Sequence, residues 1–438
     1  MEKMYLLNKI IYSLLVFLIF LLPWEIDFRN IGINIPFVNT DLEIVIFILV
    51  ILWFIYKFYK KDYYSFKKSY FYFVLIFFVL WHFISTLFAN KYIFWSFKFS
   101  LKILGATIIY FIFTEIVNSQ DRIKKIFLAI FISAGIISIL GILEHFFPSK
   151  MQKIFSFFTP FLIYLPDNTV RIKSTFVHPN VFAMYIEIVT LLACGYMMIL
   201  KSKKNKFIMM CLVSLLTVSM VFTYSRGGIL GFFGGLISFW FLCFVNKSMK
   251  KHLIKFEKIL LCISIIFLIA ILIDSVFFVR LKNAFNVEDN PIRERLYLWL
   301  TASHIFMDAP IFGVGPDAFQ LIYKEKYFLP FKTSVGVVTQ TDNFYLEMFT
   351  NLGIIGGFIF ILLVIKIFRI NIYKLKLFDY LIEKRNELKN FKCIFLQAGV
   401  LCMFVCFFVH GFVDYFLRQQ SILLFFWIGL GLSENIKV

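Results

Sequence analysis

Charge is what this chain has least of. Only 16% of its 438 residues are Asp, Glu, Lys or Arg, and 61% are hydrophobic. Soluble domains carry about 25% charged residues, so a soluble domain of this size is excluded. The charges are also unbalanced, with 45 basic against 26 acidic residues and a net charge of +19. In a membrane chain, lysine-rich cytoplasmic connections explain such an excess without a nucleic-acid partner. The alternation of apolar and polar residues that marks a transmembrane barrel is missing. Also missing is a small-residue cleavage site after the first apolar run, which therefore reads as a retained helix rather than a signal peptide. The seven cysteines show no CxxC spacing, and the outer connections contain none. Neither a disulfide framework nor a metal site is indicated, and no cofactor is expected. There is no internal repeat and no low-complexity tract.

Long apolar runs are what the chain does have. Twelve candidate spans occupy 10–22, 41–56, 70–88, 99–117, 126–147, 179–200, 207–224, 228–245, 259–279, 343–365, 393–412 and 420–433. Most approach the roughly 20 residues that cross a bilayer as helix. The expected fold is an all-α polytopic membrane protein of about twelve transmembrane helices, with residues 1–438 in one membrane domain. Alternate connections differ in basic content. One set, with both termini, holds 28 Lys and Arg; the other holds 16, with Lys102 inside a span. The positive-inside rule then places both termini in the cytoplasm. The basic set includes 57–68, 121–125, 201–206, 247–258 and the 366–392 loop. The opposite, outer side holds 148–178 and the long connection 280–342. In the latter, Leu296, Trp299, Leu300 and Ile305 recur at near-helical spacing, which suggests helices lying on the membrane surface. The glycines and proline of 312–316 then break that pattern.

The outer side carries arginine where the positive-inside preference would remove it. Arg171 and Lys173, Arg226, then Arg280, Lys282, Arg293 and Arg295 each lie near the end of a span. Guanidinium presents a planar fork of donors that matches phosphate oxygens and stays charged at any relevant pH. Such a set suits a phosphate or diphosphate head group; the alternative is that these residues only anchor helix ends at lipid phosphates. The stretch TYSRGG (223–228) places Arg226 between a serine and two glycines at a span boundary. The glycines permit close backbone approach, and a helix N-terminus attracts anions.

Four segments follow one another on this side: RIKSTFVHPNVFAMY (171–185), TYSRGGILGFFGG (223–235), RLYLWLTASHIFMDAPIFGVGPDAF (295–319) and TDNFYLEMFTNLGIIGG (341–357). Together they resemble the O-antigen ligase and O-antigen polymerase superfamily, with 171–357 as the family-like catalytic region. The resemblance implies a metal-independent, inverting membrane glycosyltransferase of the bacterial inner membrane, with its site on the periplasmic face. Its donor would be a glycan on undecaprenyl pyrophosphate, and its acceptor a carbohydrate hydroxyl. A chain-length regulator is a further partner implied for a polymerase. Arg226 matches the arginine of the family's S-R-G, and Arg295 that of R-x-x-x-W, with Trp299 as its tryptophan; both would bind the diphosphate. Arg171, Lys173, Arg293 and His178 would be accessory contacts, and Asn343 and Tyr345 would orient acceptor or base. Asp342 stands where ligases of the family carry a histidine thought to activate the acceptor. A carboxylate can accept that proton when the transition state is oxocarbenium-like. The substitution resembles polymerase-type members. His178 and His304 are the substitute candidates for the base.

Ligase and polymerase both remain open at this point. So does a lipid-linked oligosaccharide transporter, although transporters usually place ionisable residues near the midplane.

Overall fold

The computed structural model describes residues 2–436 apart from 29–31, 34–37, 62–68, 159–160, 166, 284–285, 287–289, 328–339 and 386–387. Parts of two basic connections, 57–68 and 366–392, and of the 280–342 connection therefore lie outside the described residues.

Apolar runs become helices because only a helix satisfies every backbone donor and acceptor within one segment in lipid. The first half of the chain forms α1 (Glu2–Leu21), α2 (Asp41–Lys60), α3 (Tyr72–Leu87), α4 (Ile93–Ile116), α5 (Gln120–Phe146), the short α6 (Pro148–Phe155) and α7 (Pro179–Ile199). There follow α8 (Lys203–Phe222), α9 (Arg226–Val245), the single turn α10 (Lys247–Lys250), α11 (Leu253–Ile273) and α12 (Ser275–Lys282). The remainder comprises α13 (Asn290–Asp308), α14 (Phe319–Ile322), α15 (Phe344–Arg385), α16 (Leu388–His410) and α17 (Gln420–Asn435). Between α6 and α7, β1 (Ile163–Tyr164) pairs antiparallel with β2 (Val170–Arg171).

Eleven of the expected spans each coincide with one helix, and 259–279 covers most of α11 and the start of α12, broken at Asp274. Among the described residues, ten helical segments are long and apolar enough to cross a membrane. The other two, α3 and α17, have 16 residues each. In α17 every residue but Glu434 is buried, so this helix is enclosed by protein. Helices α7 and α16 form the centre, where α16 packs on α7, α9 and α15. The periphery exposes large apolar side chains such as Phe47, Phe73 and Leu272, a surface suited to lipid.

One expectation is corrected. The segment 366–392 is not a loop up to its end: α15 continues through it to Arg385. The expected helix in 280–342 is α13, which turns Leu298, Ala302 and Ile305 inward against Phe319 and Tyr323 and leaves Leu296 and Leu300 exposed. The helix is docked on α15 by its inward face.

A break in α15 makes that docking possible. Gly353 adopts φ 68°, ψ −173°, and Gly313, in the loop after α13, has φ 73°. A Cβ on either would meet the backbone around the other. The two segments are stitched by Ile354 N–H to Pro310 O (2.8 Å), Val314 N–H to Thr350 O (3.1 Å) and Gly315 N–H to Asn351 O (3.0 Å). Carbonyls freed by the break accept from α3: Trp81 Nε1 donates to Leu352 O (2.8 Å) and Ser85 Oγ to Asn351 O (3.0 Å). An irregular segment at this depth needs such partners. The joint places α13 across the start of α15, which brings positions 295 and 342 together.

Candidate functional site

The stretch TYSRGG is a helix start. Tyr224 takes φ 51°, Ser225 caps α9 by accepting Gly228 N–H at 3.1 Å, and Arg226 is the first helical residue. The glycines serve packing. A Cβ on Gly227 would come within 2.8 Å of His410, and one on Gly231 or Gly235 would overlap Glu187 or Cys406. The four-residue spacing of 227, 231 and 235 lays one smooth stripe along α9 for α16 and α7, as small residues do between membrane helices.

Arg295 and Trp299 lie one turn apart on α13, and both reach Asp342. Arg295 Nε stands 3.9 Å from Asp342 Oδ2, and Trp299 Nε1 donates to the Asp342 carbonyl at 3.3 Å. Asp342 itself has φ 50°, a left-handed conformation that Trp299 helps to hold. The R-x-x-x-W spacing is thus an i, i+4 pair on one helix face.

From Asp342 a polar chain runs across the site. Gln340 Nε2 donates to Asp414 Oδ1 (2.7 Å) and to Asp342 Oδ1 (3.3 Å). Asn180 Nδ2 donates to Asp414 Oδ2 (2.8 Å), and Arg171 Nη2 donates to Asn180 Oδ1 (2.9 Å). Arg171 Nε is held by Thr223 O at 3.0 Å. Burial, then the charges of Arg280, Arg295 and Arg226, push the Arg171 pKa down to about 9. The charges of three guanidiniums from three other segments therefore reach Arg171. Arg226 also donates to Asn283 O (3.1 Å), and Arg280 Nε to Tyr224 O (3.2 Å).

Asp342 and Asp414 line a cavity of about 810 Å³ at the end of the bundle where the α1–α2, α5–α7 and α16–α17 connections meet. Arg171, Arg226 and Arg295 lie outside its wall. These three arginines stand beside the cavity, and Asp342, which lines it, is the one of its carboxylates that faces Arg295. Burial raises the pKa of Asp342, opposed by Arg295. Burial and the neighbouring Asp342 push that of Asp414 up to about 7.

The remaining predicted residues separate into two groups. His178 lines the cavity and caps α7, its Nδ1 accepting Asn180 N–H at 3.1 Å. Neutral imidazole with an accepting Nδ1 carries its proton on Nε2, so His178 offers the cavity a donor and not a base. Burial and the charges of Arg171 and Arg295 push its pKa down to about 3. Lys173 is buried, and its backbone N–H donates to Glu144 Oε2 (2.9 Å); it is not on the cavity wall. Arg293 and His304 are exposed on α13. Asn343 caps α15 by accepting Tyr345 N–H and Leu346 N–H, both at 3.0 Å. Tyr345 Oη donates to Phe408 O (3.0 Å). Those polar groups are engaged within the fold.

Sequence reasoning missed Asp414 and Gln340. The available signal for Asp414 was positional: it is the carboxylate of the short 411–419 connection on the arginine side. Among the described residues no cluster of His, Cys, Asp and Glu could hold a metal ion.

Residues 211–361 match the family model described as O-antigen ligase. The match covers about a third of the chain and supports a likeness to the O-antigen ligase and polymerase superfamily over that stretch. It contains Arg226, Arg295 and Asp342, while Arg171, Asn180 and Asp414 fall outside it. No curated protein matches the chain.

Proposed function

We propose that this protein is an inverting, metal-independent glycosyltransferase that moves a glycan from undecaprenyl pyrophosphate to a carbohydrate hydroxyl. The best reading is a surface-polysaccharide polymerase working on the periplasmic face of the inner membrane. The observation that carries it is the position of Asp342, paired with Arg295 at the junction between a cluster of guanidiniums and a polar cavity.

The donor diphosphate sits among Arg171, Arg226, Arg280 and Arg295, and its lipid tail lies between helices in the bilayer. The acceptor enters from the cavity. Its hydroxyl oxygen bonds to the anomeric carbon as the bond from that carbon to the diphosphate oxygen breaks. The hydroxyl proton passes to Asp342, and Gln340 Nε2 donates to both Asp342 and Asp414, so that the two carboxylates titrate as a pair. The leaving diphosphate keeps the electron pair, and fixed guanidiniums stabilise that charge without reorganising. His178 donates to a sugar oxygen. Lys173 and Arg293 support the surrounding potential from outside the cavity. Asn343 and Tyr345 hold the turn that presents Asp342.

The family described as O-antigen ligase favours a second reading, transfer to lipid A-core or a protein, whereas the carboxylate at 342 favours the polymerase. A transporter would need its ionisable groups along a path through the bundle. Here Glu187 and His410 form an isolated buried pair at 2.7 Å, and the arginines gather at one end. The test is purified protein in detergent with lipid-linked donor. Growth of glycan chains supports the polymerase, since translocation requires a sealed compartment. A deletion strain showing single-unit surface glycan also supports it; accumulation of full-length lipid-linked polymer indicates the ligase.

A further inference from the structure

The cavity has a second wall that the transfer step leaves unused. It is built by the α1–α2 connection, the first turns of α4, the loop after α13 and the α16–α17 connection, so it lies largely outside the residues that match the family. Its charges are matched internally. Trp95 Nε1 donates to Asp317 Oδ2 at 2.9 Å, and Arg418 Nε lies 3.6 Å from Asp317 Oδ1. Gln419 Nε2 donates to Glu25 Oε2 at 2.6 Å. Asp27, Lys98 and Lys102 stand on the same wall, so three carboxylates there (Glu25, Asp27, Asp317) face three cations (Lys98, Lys102, Arg418), and the wall attracts a polar ligand without favouring either charge.

Two buried hydroxyls on this wall have no hydrogen-bond partner among the described residues: Thr40 Oγ1 and Tyr415 Oη. Thr40 is 4% exposed and Tyr415 2%, and both residues line the cavity. Buried hydroxyls are normally satisfied, and orphaned ones point to a missing partner. Aromatic faces border the same space through Trp95 and Phe99. A ligand matching all of this has hydroxyls around its rim, apolar faces above and below, and no net charge. That is the chemistry of a saccharide, and the arginine cluster supplies the opposite preference, for an anion.

We infer that this wall is a saccharide subsite, which holds the sugar of the acceptor glycan next to the attacking hydroxyl. The inference rests on the proposed transfer reaction and assigns the acceptor's position within it. The apolar face of a ring stacks on Trp95, while Thr40, Tyr415, Glu25 and Asp317 take its hydroxyls.

The test uses the full-length protein in nanodiscs and one probe, the repeat-unit oligosaccharide freed from its lipid carrier by mild acid. Saturation-transfer NMR and calorimetry read its binding, and extension of the same oligosaccharide reads its use as acceptor. Trp95→Ala is expected to weaken binding at least tenfold and to raise the acceptor KM in step, with the donor KM unchanged. Tyr415→Phe and Thr40→Val, which preserve shape, should each weaken binding severalfold. Arg295→Ala should retain oligosaccharide binding while losing transfer. Wild-type affinity in all three wall variants would overturn the subsite. So would displacement of the oligosaccharide by inorganic diphosphate, or a Trp95→Ala effect confined to the donor KM. No binding to the wild-type protein would also overturn it. Loss of transfer in Arg295→Ala, read separately, decides the transfer reaction whatever the wall variants do.

Discussion

Arg295 Nε and Asp342 Oδ2 stand 3.9 Å apart, near enough to attract and too far to hydrogen-bond. Arg295 Nε is buried and has no hydrogen-bond partner among the described residues. A guanidinium held in this way keeps a donor for a ligand oxygen. Arg295→Ala and Arg226→Ala should each lower transfer by about 100-fold or more, the usual effect of removing a donor that faces developing negative charge. Arg295→Lys should fail nearly as badly, because a point charge loses the fork. Transfer rates in detergent, with size-exclusion profiles to confirm folding, check this.

Asp414 supplies a pH signature. Its folded pKa, about 7, lies above the ordinary aspartate value near 3.9. The folded protein therefore binds its proton more tightly than the unfolded chain does. Stability contributed by the protonated group is complete below about pH 4 and is lost as pH rises toward about 7. Proton acceptance runs the other way: if the dyad takes the acceptor's proton, transfer should rise as pH passes through about 7. Asp342→Asn removes the neighbouring charge and should move the Asp414 titration to lower pH. A rate profile flat between pH 5 and 8 in the wild type would contradict the role of the dyad.

The stripe of Gly227, Gly231 and Gly235 predicts a packing defect without a chemical one. Gly235→Val introduces atoms where Cys406 Sγ already sits. Overpacking of this kind costs about 1–3 kcal/mol, so the melting temperature should fall by several degrees. Combining it with Cys406→Ala should recover part of the loss, measured by thermal unfolding in detergent. Gly235→Val alone leaving stability unchanged would show that α9 and α16 are farther apart than described.

Gly313 and Gly353 predict a defect that reaches the site from a distance. Each has positive φ, which costs an L-residue about 1–2 kcal/mol, and each faces the other's backbone. Gly353→Ala should loosen α13 from α15 and separate Arg295 from Asp342. Transfer should fall together with stability, and proteolysis after α13 should accelerate.

Trp299→Phe tests the i, i+4 face alone. It keeps the aromatic ring and deletes the donor to the Asp342 carbonyl. A moderate loss of rate, about 10-fold, with an unchanged melting temperature is expected.

Much of the fold was legible because membrane helices are read from local hydrophobicity, which the surroundings do not alter. Eleven of the twelve expected spans each coincide with one helix for that reason, and the twelfth, 259–279, runs across the break at Asp274. The length of α15 was misread because Lys366, Arg369 and Lys374 looked like a solvated connection. Lys374 is in fact buried, donating to Glu434 O (2.7 Å) and Ile436 O (3.1 Å) at the end of α17. Which apolar residues of α13 turn inward was not legible, because Leu296 and Leu300 are as apolar as Leu298 and only the position of α15 selects among them. Arg226 and Arg295 were singled out by the motifs around them. Asp414 was not, since Asn180, its hydrogen-bond partner, is 234 residues away.

The sequence alone determined that this chain is a bundle of apolar helices with arginines gathered at particular helix ends, because helix formation in lipid and cation chemistry depend on local residue type. Tertiary structure alone decided which carboxylates meet, which arginines stand beside the cavity instead of in it, and which buried hydroxyls lack a hydrogen-bond partner among the described residues. Those are relations between segments far apart in the chain, and packing, not composition, sets the distances between them.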